Sequence, residues 1–388
     1  MNTPFKILIC DLVGLKFGID GKPDPTEVKA HIEAKGGAFH EGAIQATQIY
    51  ASGLHFFYLP DISTEAEILA LTDQGQFDGV IAAATFVPKQ AIFNSGGVRI
   101  GAGTGNMASA SWGGGNGLGG QAPLMNTPGF NSRATAQMAF KALLRVRPDL
   151  PVAALHRRVI ASTFDTGKHL RDYPTAKLEG QIMAVLGYGN IGREMAKLAQ
   201  AFGMVVKVFA RNHHKQQIEA DGFAFFATPE QAAKGADVIS VHVGLGKLDS
   251  ASAKFSNTGF IGENVLSCLN PNAVLINYDR GECVDVGALE AAMASGQVGH
   301  ACIDADIFIN ADGTLRGPLV PYLPLAEKYE GRVALLPHAA ADTDHPSRVA
   351  GAKQAVDQII DCIVHKRVTN LVGELPLGYV NAGVKLGV

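Results

Sequence analysis

Apolar and polar positions along the chain follow two rhythms. Short apolar runs, KILICDL (6–12), FDGVIAAA (77–84) and VRIGAG (98–103), predict buried strands. Between them, TEVKAHIEAKGG (26–37) and EAEILALTDQ (65–74) repeat apolar residues at helical spacing, the first closed by glycine. A longer helical pattern, NSRATAQMAFKALLRVR, starts at Asn131, a plausible N-cap, and stops before Pro148. A polar stretch follows, and then the alternation resumes. Strands are predicted at 181–187, 204–210, 237–243, 273–278, 300–306 and 332–338. Helices are predicted at 191–203, 228–236, 284–297 and 349–366. Strands alternating with helices predict parallel sheets covered on both faces. The expected fold is α/β, with a first α/β unit and, from residue 181 onward, a full doubly wound parallel-sheet domain. The glycine-rich SWGGGNGLGGQAP (111–123) reads either as a surface connection or as a mobile element near a cleft.

One turn carries chemistry. GYGNIG (187–192) follows a strand and opens a helix. Gly187 allows the tight turn, Gly189 lets backbone approach a pyrophosphate, and Gly192 lets helix and strand pack closely. Asn190 and Ile191 complete the loop, whose amides meet an anion at the helix N-terminus. Eighteen residues after Gly192, the second strand ends at Ala210 instead of an acid. An acid there accepts hydrogen bonds from the ribose 2′-hydroxyl of NAD and repels a 2′-phosphate. Ala210 removes that repulsion, and Arg211 can hold the phosphate bidentately. Asn212, His213, His214 and Lys215 add donors or charge, so the expected cofactor is NADP, as NADPH.

Composition narrows the class. The chain has 388 residues, 47% hydrophobic and 18% charged, enough for two large cores. A net charge of −3 argues against general nucleic-acid affinity. The five cysteines form no CxxC pair and read as reduced thiols of a cytoplasmic protein. No apolar run is long enough for a membrane span.

The order of motifs resembles the D-2-hydroxyacid dehydrogenase family, which includes phosphoglycerate and formate dehydrogenases. MNTPGFNSRATAQ (125–137), GYGNIGREMAKLAQAFGM, INYDRGECVDVGALEAAMASGQ (276–297) and LLPHAAADT (335–343) carry the likeness. The resemblance implies two Rossmann-like doubly wound domains with a cleft between them, a dinucleotide-binding domain (131–344) inserted into a substrate-binding domain (1–130 and 345–388), and a homodimer formed through the former. It implies hydride transfer between the cofactor and a 2-oxo or 2-hydroxy acid. Arg280 matches the family arginine that binds the carboxylate and polarises the ketone, and His338 its general acid. Asp304 falls where the family's acid contacts the nicotinamide carboxamide. Ala102 and Gly103 match the loop whose amides bind the substrate carboxylate. Two readings compete: a nucleotide-sensing binding protein of the same fold, disfavoured because binding alone needs neither Arg280 nor His338, and a same-fold oxidoreductase for an unusual acid, suggested by Tyr278, Asp279 and Ile309.

The chain also departs from the pattern. The family glutamate that pairs with the histidine lies 29 residues after the arginine, and here that position is Ile309. Asp306 is the preferred replacement, with Asp312 as the alternative. Tyr278 and Asp279 stand where the family has small residues and are expected to narrow or polarise the cleft, with Tyr278 at the substrate. Ala82 and Ala83 replace the Arg or Ser of phosphate-handling relatives, which disfavours a phosphorylated substrate. The segment after Asp306 reads either as a cover over the cleft or as a surface elaboration.

Overall fold

The computed structural model describes the chain apart from residues 1–2, 13–14, 20, 63, 73–74, 105, 109–120, 148–149, 250–253, 311, 339–343 and 388. Most of the glycine-rich stretch, and the residues just after His338, therefore lie outside the described residues. Contacts divide the chain into two units, Met1–Asn131 with Asp342–Val388, and Ser132–Ala341.

The first unit is built on β1 (Pro4–Ile9), β2 (Ala38–Glu41), β3 (Gly53–Tyr58), β4 (Gly79–Ala82), β5 (Gly97–Arg99) and β6 (Leu124–Asn126). The late strand Leu371–Val372 joins the edge at β6 and gives the order Leu371–Val372, β6, β5, β4, β1, β3, β2. Every pairing is parallel except that with Leu371–Val372. Side chains alternate along a strand, so Ile7 and Ile9 enter one core and Leu8 the other. The first core is closed by Val28 and Ile32 from helix Thr26–Ala34 and by Val349 to Ile363 from helix His345–His365. The pattern at 26–37 and 349–366 reads both helices; β2 and β3, rich in aromatic residues and histidine, escape it.

The second unit is built on β7 (Ile182–Leu186), β8 (Val205–Phe209), β9 (Ala224–Phe226) and β10 (Val238–Val241). A small hairpin of β11 (Leu248–Asp249) and β12 (Lys254–Phe255) follows, then β13 (Ala273–Asn277) and β14 (Val298–Asp304). A second hairpin, β15 (Phe308–Ile309) with β16 (Leu315–Arg316), precedes β17 (Val333–Leu336). The large sheet runs β17-β14-β13-β10-β7-β8-β9, wholly parallel. Chain order reverses direction between β7 and β10, which is where ligands sit in doubly wound sheets. Helices Ser132–Val146 and Asn190–Ala201 cover one face, and Val286–Ala294 the other. Asp285 caps the last of these by accepting the Ala288 N–H at 2.9 Å.

The polar stretch after Pro151 contains a helix that periodicity did not reveal, Val152–Ile160, none of whose residues is buried. No described helix is long and apolar enough to cross a membrane. The five cysteines are free thiols.

Candidate active site

The glycine turn forms because β7 delivers Leu186 to a position only glycine can continue. Gly187 has φ +105°, and a Cβ there would lie 2.1 Å from the His242 carbonyl oxygen. A Cβ on Gly192 would lie 2.1 Å from the Gly187 carbonyl oxygen, so helix Asn190–Ala201 can start this close only with glycine. Gly189 differs: nothing lies within 4 Å of its added Cβ. Of the three glycines, then, two are filled by the protein itself and one faces open space. Asn190 is half-buried, and Ile191 packs partly against the core. The turn is tied to the next strand by the Gly187 N–H, which donates to the Phe209 carbonyl at 2.8 Å.

That bond brings Ala210 and Arg211 beside the turn. Ala210 is buried, whereas Arg211, Asn212 and His213 are exposed. No carboxylate pairs with Arg211 among the described residues. The His213 and His214 rings lie 4.1 Å apart. Partial burial, then His213, Arg211 and Arg193, lower the His214 pKa. The nearby acid, Asp221, is already engaged: it accepts the Tyr188 hydroxyl at 2.7 Å and lies 3.4 Å from Arg193 Nη2. The surface around Arg211 is therefore cationic. Sequence reasoning missed His242, which burial holds neutral with a pKa lowered to about 4. Its Nε2 bonds Ser240 Oγ at 2.8 Å.

Arg280, Asp304 and His338, each singled out from the sequence, lie at the carboxyl ends of β13, β14 and β17. Arg280 follows β13 and is exposed. Its turn is held from several sides. The Asn277 amide donates to the Arg280 carbonyl at 2.8 Å, and the Tyr322 hydroxyl donates to the Gly281 carbonyl at 2.6 Å. Tyr322 is 1% exposed and Leu319 and Leu325 join the same core. So the segment after Asp306 splits in function: 315–316 finish an exposed hairpin, while 319–325 buttress the arginine turn. Arg280 forms no ion pair with either neighbouring acid among the described residues: Asp285 caps a helix and Asp279 accepts the Gly244 N–H.

His338 takes a left-handed backbone, φ +47°, just past β17. Such a conformation costs energy in a non-glycine residue and concentrates at functional sites. Its Nδ1 lies 2.7 Å from Asp304 Oδ1. With Nδ1 facing a carboxylate, that nitrogen carries the proton and Nε2 is left to exchange one. The hydrogen bond to Asp304 is the main cause of a raised His338 pKa; burial opposes it, and the charges of Asp304 and Asp306 add to it.

Two expectations are corrected here. The acid that pairs with His338 is Asp304, not Asp306. β14 pairs with β17 so that Asp304 stands opposite Leu336, two residues before the histidine. Asp306 lies past the strand end, where its carbonyl accepts the Leu319 N–H at 3.1 Å and its carboxylate contributes only charge at range. Asp312 accepts from Thr314 in its own exposed turn, and Ile309 is 74% exposed on the hairpin. Tyr278, expected at the substrate, is corrected too: it is 6% exposed and its ring belongs to the core of the second unit with Phe140 and Met195. In the first unit, Ala102 and Gly103 are exposed, and their N–H groups have no acceptor among the described residues. The Ala102 carbonyl is held by the Asn126 amide at 2.6 Å.

Residues 151–340 match the family model described as D-isomer specific 2-hydroxyacid dehydrogenase, NAD binding domain. A glyoxylate reductase of Aeropyrum pernix is 30% identical over 256 residues, 64% of this chain and 68% of that enzyme. A glyoxylate reductase of Thermococcus litoralis is 34% identical over 180 residues, 46% of this chain and only 52% of that enzyme. The match thus spans about half the length of the second relative. The solved NAD⁺-bound 3-phosphoglycerate dehydrogenase of Entamoeba histolytica shares the fold, with a TM-score of 0.65 at 18% identity over 96% of this chain and 100% of that one.

Proposed function

The chain belongs to the D-isomer specific 2-hydroxyacid dehydrogenase family, and from that premise we propose that it reduces a 2-oxo acid to the 2-hydroxy acid with NADPH. The observation that carries the reading is His338 held on Asp304 within electrostatic range of an exposed Arg280 that has no ion pair among the described residues. A family member that only sensed nucleotide would need neither group.

The open face of Gly189 and the N-terminal amides of helix Asn190–Ala201 suit a pyrophosphate, and Arg211 with Asn212 and His213 suits a 2′-phosphate. When bound, the reduced dinucleotide supplies the hydride. Arg280 binds the substrate carboxylate, its planar fork matching two oxygens, and draws electron density from the ketone. His338 then gives the Nε2 proton to the developing alkoxide. Asp304 keeps Nδ1 protonated and stabilises the imidazolium before transfer. The Tyr322 and Asn277 bonds keep the Arg280 turn in place through the cycle.

We also propose a homodimer. Val152, Val159 and Ile160 are 60%, 60% and 72% exposed on a helix with no buried residue, and Leu170 is 51% exposed. A second copy of the chain is the cover this arm lacks.

The test is absorbance of NADPH and NADH against a panel of 2-oxo acids that includes glyoxylate, pyruvate and 4-methyl-2-oxopentanoate, with Arg280→Gln as control. Turnover that Arg280→Gln abolishes is expected. Tight NADPH binding with no turnover of any acid would leave a binding protein instead.

A further inference from the structure

The turn that presents Arg280 carries an acid the mechanism does not use. Asp279 directly precedes the arginine, and its Oδ2 accepts the Gly244 N–H at 2.6 Å. Its own N–H donates to Asn277 Oδ1 at 3.3 Å. Burial raises its pKa, while the Gly244 N–H, Arg280 and His338 pull it back down. The same charges locate it: both cations of the reaction lie within electrostatic range of this carboxyl. Cys283 is a further titratable group beside it, a buried thiol that donates to the Gly244 carbonyl at 3.5 Å and whose pKa burial raises to about 12, and Glu282 lies within electrostatic range of the same thiol. That thiol stays neutral and contributes no charge.

The charges can then be assigned pair by pair. Asp304 balances His338. Asp279 balances Arg280 at range, without forming an ion pair with it among the described residues. Asp306 adds a further negative charge within range of His338. A first carboxylate on a ligand can still take the exposed Arg280 guanidinium. A second anionic group finds no uncompensated cation in this cluster and meets the field of Asp279 and Asp306. An uncharged side chain meets no such opposition, and a cationic one is attracted.

We propose that Asp279 is a specificity-determining residue that turns this site against doubly anionic acids and toward 2-oxo acids with an uncharged or cationic side chain. The proposal rests on the assignment of Arg280 as the carboxylate-binding residue. It makes the acid before the arginine a selector of ligand charge, and a clasp on the 242–247 loop besides.

Binding of unreactive analogues tests it without depending on turnover. Oxamate carries one negative charge, N-oxalylglycine two, and N-(2-aminoethyl)oxamate adds a cation. Their dissociation constants would be measured calorimetrically on the full chain with NADP⁺ present, for wild type and Asp279→Asn. Asparagine keeps an oxygen for the Gly244 N–H and removes the charge. Wild type is expected to bind N-oxalylglycine most weakly. In Asp279→Asn the preference for oxamate over N-oxalylglycine should shrink on the order of tenfold, the effect of one nearby charge in a partly screened site. The preference for the aminoethyl analogue should fall as well. Should Asp279→Asn fold poorly, the wild-type ratio measured against pH decides instead: it must drift toward the expected mutant ratio as Asp279 takes up a proton. Ratios that change neither on mutation nor with pH would overturn the proposal. Binding of none of the three would also overturn it. Failure of turnover with retained charge selection would count against the reductase reading alone.

Discussion

Replacing Asp304 by asparagine removes one charge from a buried pair and keeps its shape. The carboxylate is 1% exposed and meets His338 Nδ1 at 2.7 Å, with 22% of the histidine side chain exposed. A hydrogen bond between charged partners contributes about 1.5–3 kcal/mol, and an amide oxygen recovers part of it. Reduction needs the imidazolium, so the loss falls on the rate where His338 must hold its proton against rising pH. At pH 8, kcat/KM for reduction should drop on the order of 10- to 100-fold, with a much smaller drop at pH 6. The assay is a pH–rate profile of NADPH oxidation with the best 2-oxo acid. The basic limb of the mutant profile should move to lower pH. Stability has the same sign. A folded pKa above the unfolded one gives stabilisation that is full below the unfolded value of about 6.5 and fades as pH rises through the folded value. The wild type should therefore lose melting temperature relative to Asp304→Asn between mildly acidic and mildly alkaline pH. A mutant whose basic limb coincides with that of wild type would refute the pairing. A shift produced by Asp306→Asn alone would restore Asp306 to the role.

Further outcomes follow from the same geometry. Arg211→Ala should weaken NADPH on the order of tenfold or more, the value of a charge-assisted phosphate contact, and leave NADH within about twofold; equal losses by fluorescence titration would remove Arg211 as a selector. Gly192→Ala puts a Cβ 2.1 Å from the Gly187 oxygen and should lose about 1–3 kcal/mol of stability in denaturant melts. Gly189→Ala, with nothing within 4 Å, should melt like wild type yet bind nucleotide less well; a melt lowered as far as that of Gly192→Ala, or an unchanged nucleotide affinity, would contradict this. Ile160→Asp should shift sedimentation toward a monomer if the exposed arm is the dimer contact.

The sequence by itself determined the α/β class and the glycine turn, and it pointed to Arg280 and His338 as the proposed reacting pair. These are local matters. Apolar runs fix strands through side-chain alternation, and Gly187 and Gly192 answer steric demands set within a few residues or by the adjoining strand end. Arg280 and His338 could be read because each sits in a motif whose neighbours are also present. Where the signal was weak, the element was missed: β2 and β3 mix histidine with aromatics, and helix Val152–Ile160 has no buried stripe to give it a period.

The tertiary structure alone decided which acid serves His338. Counting from Arg280 led to Ile309 and then to Asp306, because a count along the chain assumes the loop after β14 keeps its path. Here that path is a hairpin, and the parallel register of β14 with β17 carries Asp304 to the histidine first. The same holds for Tyr278, whose polar oxygen suggested a wall but whose ring is taken by the core, and for Asp279, whose neighbour Gly244 lies 35 residues away in sequence. Partners set by strand register leave no mark on local spacing, so only folded coordinates could name them.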